Sequence, residues 1–195
     1  MPRFSLIEEE NIRKELIQKG TILFTKYGLG KVSVDDIVKE VRIAKATFYK
    51  FFESKEAFYF ELLLKERKEL FEELNNFSLK CMKLSGRDHV YQVFAKMSEL
   101  LMEHPILATI DSDTIHLVGR KLPRENEEII LGQGTEALRL LTEHGVRFKQ
   151  ELEIVSIIYH SLYKVWSGLS SLDVAKQTEI IDIMLRGIID QTVID

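Results

Sequence analysis

The chain has 195 residues, of which 45% are hydrophobic and 30% charged, and its formal net charge is −4 at pH 7. This length suits one or two domains with a substantial core. Its single cysteine, Cys81, excludes an intrachain disulfide, and no apolar run is long enough for a membrane span. We therefore expect a cytoplasmic protein, with Cys81 as a small core residue.

The first two predicted helices follow from hydrophobic spacing and from residues that start and stop helices. A helix of about 20 residues is predicted over 7–27, and Gly28 supplies its end. Ser33 is then placed to cap a second helix, VDDIVKEV, with Asp36 at the acidic capping-box position.

A tight turn separates the second helix from the third. The turn is predicted to take about three residues around Arg42, and the third helix to run over 44–52. Ser54 is expected to cap a fourth, longer helix that begins at Lys55 and reaches about Leu74.

The third helix, AKATFYKFF, has two different sides. Phe48 and Phe52 share one row, and we predict that they pack onto three earlier residues, Phe24, Ile37 and Val41. The other side is small and cationic, and it carries no carboxylate before Glu53. We predict that five residues face outward there: Lys45, Ala46, Thr47, Tyr49 and Lys50. This arrangement is typical of a helix-turn-helix that enters the major groove of DNA.

The charge distribution agrees with a polyanionic partner. Residues 1–60 contain 11 Lys and Arg against 9 Asp and Glu, whereas the remainder contains 16 against 22. The late part of this segment holds the basic cluster: Lys39, Arg42, Lys45, Lys50 and Lys55. A local patch of this kind attracts phosphates even when the net charge is negative.

Residues 24–60 resemble the N-terminal DNA-binding region of the TetR family of bacterial transcriptional regulators. The matching segments are FTKYGLGKVSVDDIVKEV and IAKATFYKFFESKEAFYFELL, about a fifth of the chain. The resemblance implies that five residues lie in the major groove: Lys45, Ala46, Thr47, Tyr49 and Lys50. It also implies three phosphate contacts, from Ser33, Tyr49 and Lys55.

Two positions depart from the family's pattern. Arg42 stands in the turn where the family usually has Gly, and Ala44 stands where a Ser or Thr cap often precedes the recognition helix. Arg42 must either adopt an unfavourable backbone conformation or mark a different turn, and a missing cap costs about 1 kcal/mol. Arg42 then either adds a phosphate contact or is a solvated side chain.

The second half of the chain is also predicted to be helical. The pattern indicates helices over about 87–103, 105–118, 123–143, 149–168 and 173–192. The fold class is therefore all-α, with nine helices in a TetR-like architecture and no convincing strand. We expect two domains: a helix-turn-helix DNA-binding domain over 1–54, and a ligand-binding and dimerisation domain over 55–195.

The last two helices are apolar over most of their circumference, which requires cover on more than one side. A second copy of the chain is the natural cover, and the resemblance implies a four-helix bundle between the two copies. A twofold homodimer matches palindromic double-stranded DNA when its recognition helices lie about 34 Å apart. A ligand that favours one helix arrangement would change this spacing.

For a small-molecule effector, the resemblance implies a cavity among the middle helices. Eight residues with polar or aromatic side chains are the candidates: Tyr91, Phe94, Met97, Asp111, His116, Tyr159, Tyr163 and Trp166. They favour an apolar or aromatic ligand. For each residue taken singly, a plain role in the core or on the surface is the better interpretation.

Catalysis, a cofactor and a metal are not expected. The chain lacks His-x-x-x-His, Glu-x-x-His and paired cysteines, as well as a glycine-rich phosphate loop and a G-x-S-x-G turn. The sequence therefore predicts a ligand-responsive transcriptional repressor. The alternative is a helical small-molecule-binding protein that has lost specific DNA binding, for which Arg42 and Ala44 are the suggestive features.

Overall fold

The computed structural model describes residues 5–123, 133–169 and 172–194. Within these ranges the chain forms nine α-helices, which confirms the all-α prediction. They are α1 Leu6–Tyr27, α2 Val34–Val41, α3 Lys45–Phe51, α4 Lys55–Cys81, α5 Gly86–Glu103, α6 Ser112–Gly119, α7 Gln133–Glu143, α8 Leu152–Gly168 and α9 Val174–Thr192. No helix in the described ranges is both long and apolar enough to cross a lipid bilayer.

The predicted helix over 105–118 is wrong, because the segment divides into two. Pro105–Thr109 is a 3₁₀ helix, and Ile110 is extended. Asp111 then starts α6 by accepting a hydrogen bond from the Thr114 N–H at 2.7 Å. An Asp side chain that caps a new helix satisfies amides that a continuous helix would bond internally.

Other boundaries differ less from the predictions. Helix α4 continues to Cys81, beyond the predicted end near Leu74. A short antiparallel pair joins Arg147–Phe148, here β1, to Val193–Ile194, here β2, so the prediction that the chain has no strand is wrong in this detail. The first part of the predicted helix over 123–143, residues 124–132, lies outside the described residues.

The chain divides into two compact units. The first comprises Met1–Leu70 and Leu101–Ile130, and the second Phe71–Leu100 and Leu131–Asp195. The predicted domain boundary after residue 54 stays a prediction.

Aromatic rings form the core of the first unit near its helix-turn-helix. Phe58 is fully buried, and its ring centroid lies 5.9 Å from that of Phe24, 5.6 Å from Phe48 and 4.3 Å from Phe52. Gly20 of α1 allows this packing, because a Cβ there would lie 2.5 Å from the Phe58 ring. Phe58 thus joins α1 and α3 to the start of α4.

The second unit contains a buried polar group within its apolar core. Ser78 is fully buried, and its hydroxyl lies 2.8 Å from His89 Nε2 and 2.7 Å from His144 Nδ1. The two imidazole rings are stacked with centroids 6.3 Å apart. Buried polar groups require partners, and this network satisfies them.

Candidate DNA-binding surface

The start of α2 is fixed by a capping box, as the sequence predicted. Ser33 Oγ accepts a hydrogen bond from the Asp36 N–H at 3.2 Å, and Asp36 Oδ2 accepts one from the Ser33 N–H at 2.9 Å. Hydrogen bonds to the Asp36 carboxylate from the Ser33 hydroxyl and then from the Ser33 N–H hold the pKa of Asp36 below its ordinary value. The exposed Ser33 hydroxyl also donates to Asp36 Oδ2 at 2.6 Å, so a phosphate contact would have to replace that bond.

Arg42 adopts the unfavourable backbone conformation that the sequence analysis considered. Its φ of 59° and ψ of 42° are left-handed, and no other non-glycine residue in the described ranges has a positive φ. Its N–H lies 3.3 Å from the Lys39 carbonyl, and the Ile43 N–H lies 3.0 Å from the Val38 carbonyl. The turn therefore has its usual tight closure without a glycine, at a cost of about 1 kcal/mol or more in backbone strain.

Helix α3 begins at Ala44 without a side-chain cap. Ala44 has extended φ and ψ angles, and no side-chain hydrogen bond is made there. The Thr47 N–H bonds to the Ala44 carbonyl at 2.8 Å, which leaves the earlier amides of the helix directed outward. Amides at a helix N-terminus are donors suited to a phosphate oxygen.

The predicted inner side of α3 is confirmed. Phe48 is fully buried and Phe52 is 4% exposed. Sequence reasoning missed Phe58, the ring of α4 that contacts both of them. The sequence does place Phe58 at the end of the FESKEAF segment, as the fourth residue of the helix that follows α3, and this position could have indicated the contact.

The exposed side of α3 carries four of the five residues that were predicted to face outward: Lys45, Ala46, Tyr49 and Lys50. The Tyr49 ring is 51% exposed and contacts the Phe48 ring edge-to-face, with 5.5 Å between centroids. Contact with a buried ring orients the tyrosine, while its hydroxyl stays on the outside of the helix.

The prediction that Thr47 faces outward is wrong. Its side chain is only 7% exposed. The reason is that the buried arc of α3 is two rows wide: Thr47 shares a row with the half-buried Phe51, next to the row of Phe48 and Phe52. Thr47 therefore contributes to packing and is omitted from the proposed DNA contacts.

Lys55 also differs from its predicted role as a phosphate contact. Its Nζ donates hydrogen bonds to the carbonyls of Leu29 and Val32, both at 2.7 Å. The half-buried ammonium therefore fixes the loop between α1 and α2. A charged donor that satisfies two carbonyls is a structural element of the head, so we assign Lys55 no DNA contact.

Lys45 is paired with an acid of the neighbouring helix. Its Nζ lies 2.8 Å from Asp35 Oδ2, and both side chains are largely exposed. The hydrogen bond that Lys45 donates to Asp35 raises the pKa of Lys45. Sequence reasoning missed this pair, because spacing along α2 does not show that Asp35 reaches α3.

The comparisons with known proteins agree with this geometry. Residues 16–62 match the family model described as bacterial regulatory proteins, tetR family. The match covers the helix-turn-helix region of the chain, which is therefore similar to the DNA-binding region of TetR-family regulators. The chain is 43% identical to the HTH-type transcriptional repressor DhaR of Mycobacterium sp. (strain GP1) over 47 residues. This aligned segment covers 24% of this chain and 24% of DhaR.

TetR-family crystal structures share the fold over nearly the whole chain. A protein from Mesorhizobium loti MAFF303099, assigned to this family, superposes with a TM-score of 0.66 at 16% identity, covering 95% of this chain and 98% of the other. The reduced form of E. coli NemR gives a TM-score of 0.62 at 16% identity, covering 93% and 97%. At such identities the likeness concerns the fold alone.

The structure brings together two of the predicted effector-binding residues, both in the second unit. The rings of Phe94 and Tyr159 are stacked, with centroids 4.3 Å apart. Tyr159 is 4% exposed and its hydroxyl lies 3.3 Å from Thr192 Oγ1, and burial raises its pKa to about 12. Met97 is half-buried in the same unit.

Tyr91 lies in a separate polar group of the second unit. Its hydroxyl donates to Asp182 Oδ1 at 2.5 Å, and this bond raises the pKa of Tyr91. The Arg186 guanidinium lies 4.3 Å from the centroid of the Tyr91 ring and bonds to Asp182 at 2.9 Å. These bonds give Tyr91 a structural role in linking α5 to α9.

The remaining effector-binding candidates are dispersed. Asp111 and His116 are exposed residues of the first unit, and Asp111 is occupied as the cap of α6. Tyr163 and Trp166 belong to α8, but their side chains lie outside the described residues. The structure thus gives no single site for the eight candidates.

A cleft of about 400 Å³ opens between α7 and α8 in the second unit. None of the predicted effector-binding residues whose side chains are described lines it. Its walls are Thr135, Arg139, Leu152, Glu153, Ser156 and Ile157.

Proposed function

We propose that this protein is a DNA-binding transcriptional regulator, and specifically a repressor. The observation that carries the proposal is the exposed side of α3, where Lys45, Ala46, Tyr49 and Lys50 stand on a helix braced from behind by phenylalanines. Ala46 permits close approach to the groove, Lys45 and Lys50 provide positive charge, and the Tyr49 hydroxyl suits a phosphate oxygen. Ser33 and Arg42 are proposed to contact the phosphate backbone at the edges of this surface.

We further propose that the protein acts as a homodimer on a palindromic operator. Helices α8 and α9 expose isoleucines that a single chain leaves uncovered: Ile154 is 49%, Ile157 62% and Ile183 64% exposed. Burial of apolar area contributes about 25 cal/mol per Å², so pairing of these helices with a second copy would stabilise a dimer. Its twofold symmetry would match inverted half-sites.

In this proposal residues 1–54 bind DNA, and residues 55–195 bind a small-molecule effector that is apolar or aromatic. Binding of the effector releases the repressor from DNA. The stacked Phe94 and Tyr159 support an aromatic ligand. A coupling of about 1 to 3 kcal/mol between the two sites is enough for a useful change in occupancy. We place the protein in the cytoplasm, where its one cysteine stays reduced.

The test is fluorescence anisotropy with a duplex from the protein's own upstream region. Tyr49→Ala should weaken binding by about tenfold or more, since it removes a contact at the centre of the surface. Tyr27→Ala is the matched control, because Tyr27 of α1 is 48% exposed, close to the 51% of Tyr49. Equal affinity of wild type and Tyr49→Ala would refute the assignment of α3 as the DNA-reading helix.

The second candidate is a helical small-molecule-binding protein without specific DNA affinity. Three observations favour it: the strained turn at Arg42, the uncapped start at Ala44, and the pairing of Lys45 with Asp35. The two functions differ in salt dependence. A regulator loses affinity for a specific duplex steeply as salt increases, whereas the alternative shows no saturable binding to any duplex.

A further inference from the structure

Two segments that lie far apart in the sequence bring three metal-binding side chains together in the first unit. Glu66 and Glu69 lie about one turn apart on α4, and His104 lies just before the 3₁₀ helix. One donor atom from each of the three lies within 4.8 Å of the other two. This set forms no short sequence motif, since the histidine follows the carboxylates by more than 30 residues, and a metal was therefore not expected from the sequence.

His104 and Glu66 are shielded from solvent, and the histidine is held in place. His104 is 8% exposed, and the Glu66 side chain is 16% exposed. The backbone around the histidine is fixed, because the His104 carbonyl accepts a hydrogen bond from the Leu107 N–H at 3.0 Å, and Pro105 follows directly. A ligand set that is positioned before the metal arrives binds with less loss of conformational entropy.

We propose that Glu66, Glu69 and His104 bind a divalent transition metal ion, with Zn²⁺ as the representative. Carboxylate oxygen and imidazole nitrogen are both ligands of Zn²⁺, at about 2.0 to 2.2 Å from the metal. Ligands at that distance in tetrahedral geometry are roughly 3.3 Å apart. His104 Nδ1 and Glu66 Oε2 are 2.7 Å apart, so they must separate by less than about 1 Å.

Binding of the metal replaces two weaker interactions. The first is the hydrogen bond between His104 Nδ1 and Glu66 Oε2: when Nδ1 binds the metal, the one proton of the neutral imidazole is on Nε2. The second is the ion pair in which Lys65 Nζ lies 3.7 Å from Glu69 Oε1, with both side chains about half exposed. Exposed pairs of this kind contribute little, so Lys65 offers weak competition. Three protein ligands leave one position open for water or a small anion.

Glu69 distinguishes the metal site from a purely structural hydrogen bond. His104 and Glu66 alone complete a hydrogen bond, and Glu69 makes no contact that this bond requires. A metal ion, in contrast, needs the third ligand. Glu69→Gln should therefore weaken metal binding while leaving the fold intact, because the residue it changes is exposed.

The experiment is calorimetric titration of Zn²⁺ into the full-length, tag-free protein after treatment with a chelator. One Zn²⁺ per chain should bind saturably, and Glu69→Gln and His104→Gln should each weaken binding by about tenfold or more. Glu99→Gln of α5 is the control and should bind as the wild type does. Circular dichroism of each variant verifies the fold.

A Co²⁺ titration gives a second readout, since visible absorption bands report nitrogen and oxygen ligands directly. Absence of saturable Zn²⁺ binding, or equal affinity of wild type and Glu69→Gln, would overturn the proposal. No DNA is present in either titration, so the outcome is independent of the proposed function.

Discussion

The ammonium of Lys45 on α3 donates a hydrogen bond to the Asp35 carboxylate on α2, with 2.8 Å between Nζ and Oδ2. The pair joins the two helices of the helix-turn-helix on the side proposed to face DNA. Phosphates would compete with Asp35 for Lys45, and the acid itself would be repelled by the DNA backbone. Asp35 therefore moderates the positive charge of the surface.

Replacement of Asp35 should strengthen DNA binding. In Asp35→Asn the lysine loses its anionic partner and the surface loses one negative charge. Competition from one exposed carboxylate is weak, so affinity should rise by no more than about fivefold in anisotropy measurements at low salt. Glu103→Gln, at the end of α5, changes the net charge equally and should have no effect. A weaker complex with Asp35→Asn would mean that the acid positions Lys45 for a contact.

Lys55 allows a test that separates a structural role from a DNA contact. Lys55→Met leaves the carbonyls of Leu29 and Val32 without their charged donor, which should lower the free energy of unfolding by about 1 to 3 kcal/mol. Urea denaturation measures this loss, with Lys83→Met as the control at an exposed lysine.

The salt dependence of DNA binding then decides between the two roles. A lysine that contacts a phosphate reduces the slope of log affinity against log salt by about 1 when it is removed. We expect the slope to stay unchanged in Lys55→Met. A reduced slope with unchanged stability would restore the original prediction of a phosphate contact.

The helices and the inner side of α3 were predictable from the sequence, because both depend on local spacing. Phe48 and Phe52 lie one turn apart, and the structure buries both of them. The capping box of Ser33 and Asp36 is likewise local, since its partners are three residues apart. Patterns within one turn of helix determine such features almost completely.

Features that depend on contacts between distant segments were not predictable. Lys55 bonds to carbonyls 26 and 23 residues away, and His104 meets Glu66 at a separation of 38 residues. The prediction for Thr47 was wrong for a related reason. The width of the buried side of α3 depends on how many neighbouring elements cover the helix, and the sequence of α3 alone does not contain that information. Side-chain roles therefore required the fold, whereas element positions mostly did not.

Arg42 provides a test of backbone strain at the turn. Arg42→Gly should stabilise the protein by about 0.5 to 1 kcal/mol, because a glycine adopts a φ of 59° without the steric cost that a side chain incurs. The gain is partly offset by the greater entropy of glycine in the unfolded chain. Urea denaturation measures the difference.

The matched control for this turn is Lys39→Gly, at an exposed position of α2 with helical geometry. It should destabilise the protein by about 1 kcal/mol, since glycine is a poor helix former. Destabilisation of similar size in both variants would show that the Arg42 side chain makes a compensating interaction.

Because His89 is buried in the second unit, we expect the protein to lose stability in acid. Burial, followed by repulsion from His144, holds the pKa of His89 below its ordinary value. In the unfolded chain a histidine titrates near about 6.5. At pH values between the lowered pKa of the folded state and the pKa of the unfolded state, the unfolded chain binds more protons than the folded chain. The free energy of unfolding should therefore decrease as the pH falls through this window.

The variant His89→Gln tests this assignment. The Ser78 hydroxyl bridges His89 and His144 and has one proton to donate, so at most one ring accepts a hydrogen bond from it. Protonation of His89 places a positive charge in this buried network and removes Nε2 as an acceptor. Urea unfolding at about pH 7.5 and about pH 5.5 should show a smaller pH effect in His89→Gln than in the wild type. His116→Gln, at an exposed histidine of α6, should retain the wild-type difference. If His89→Gln retained it as well, the acid sensitivity would belong to other groups.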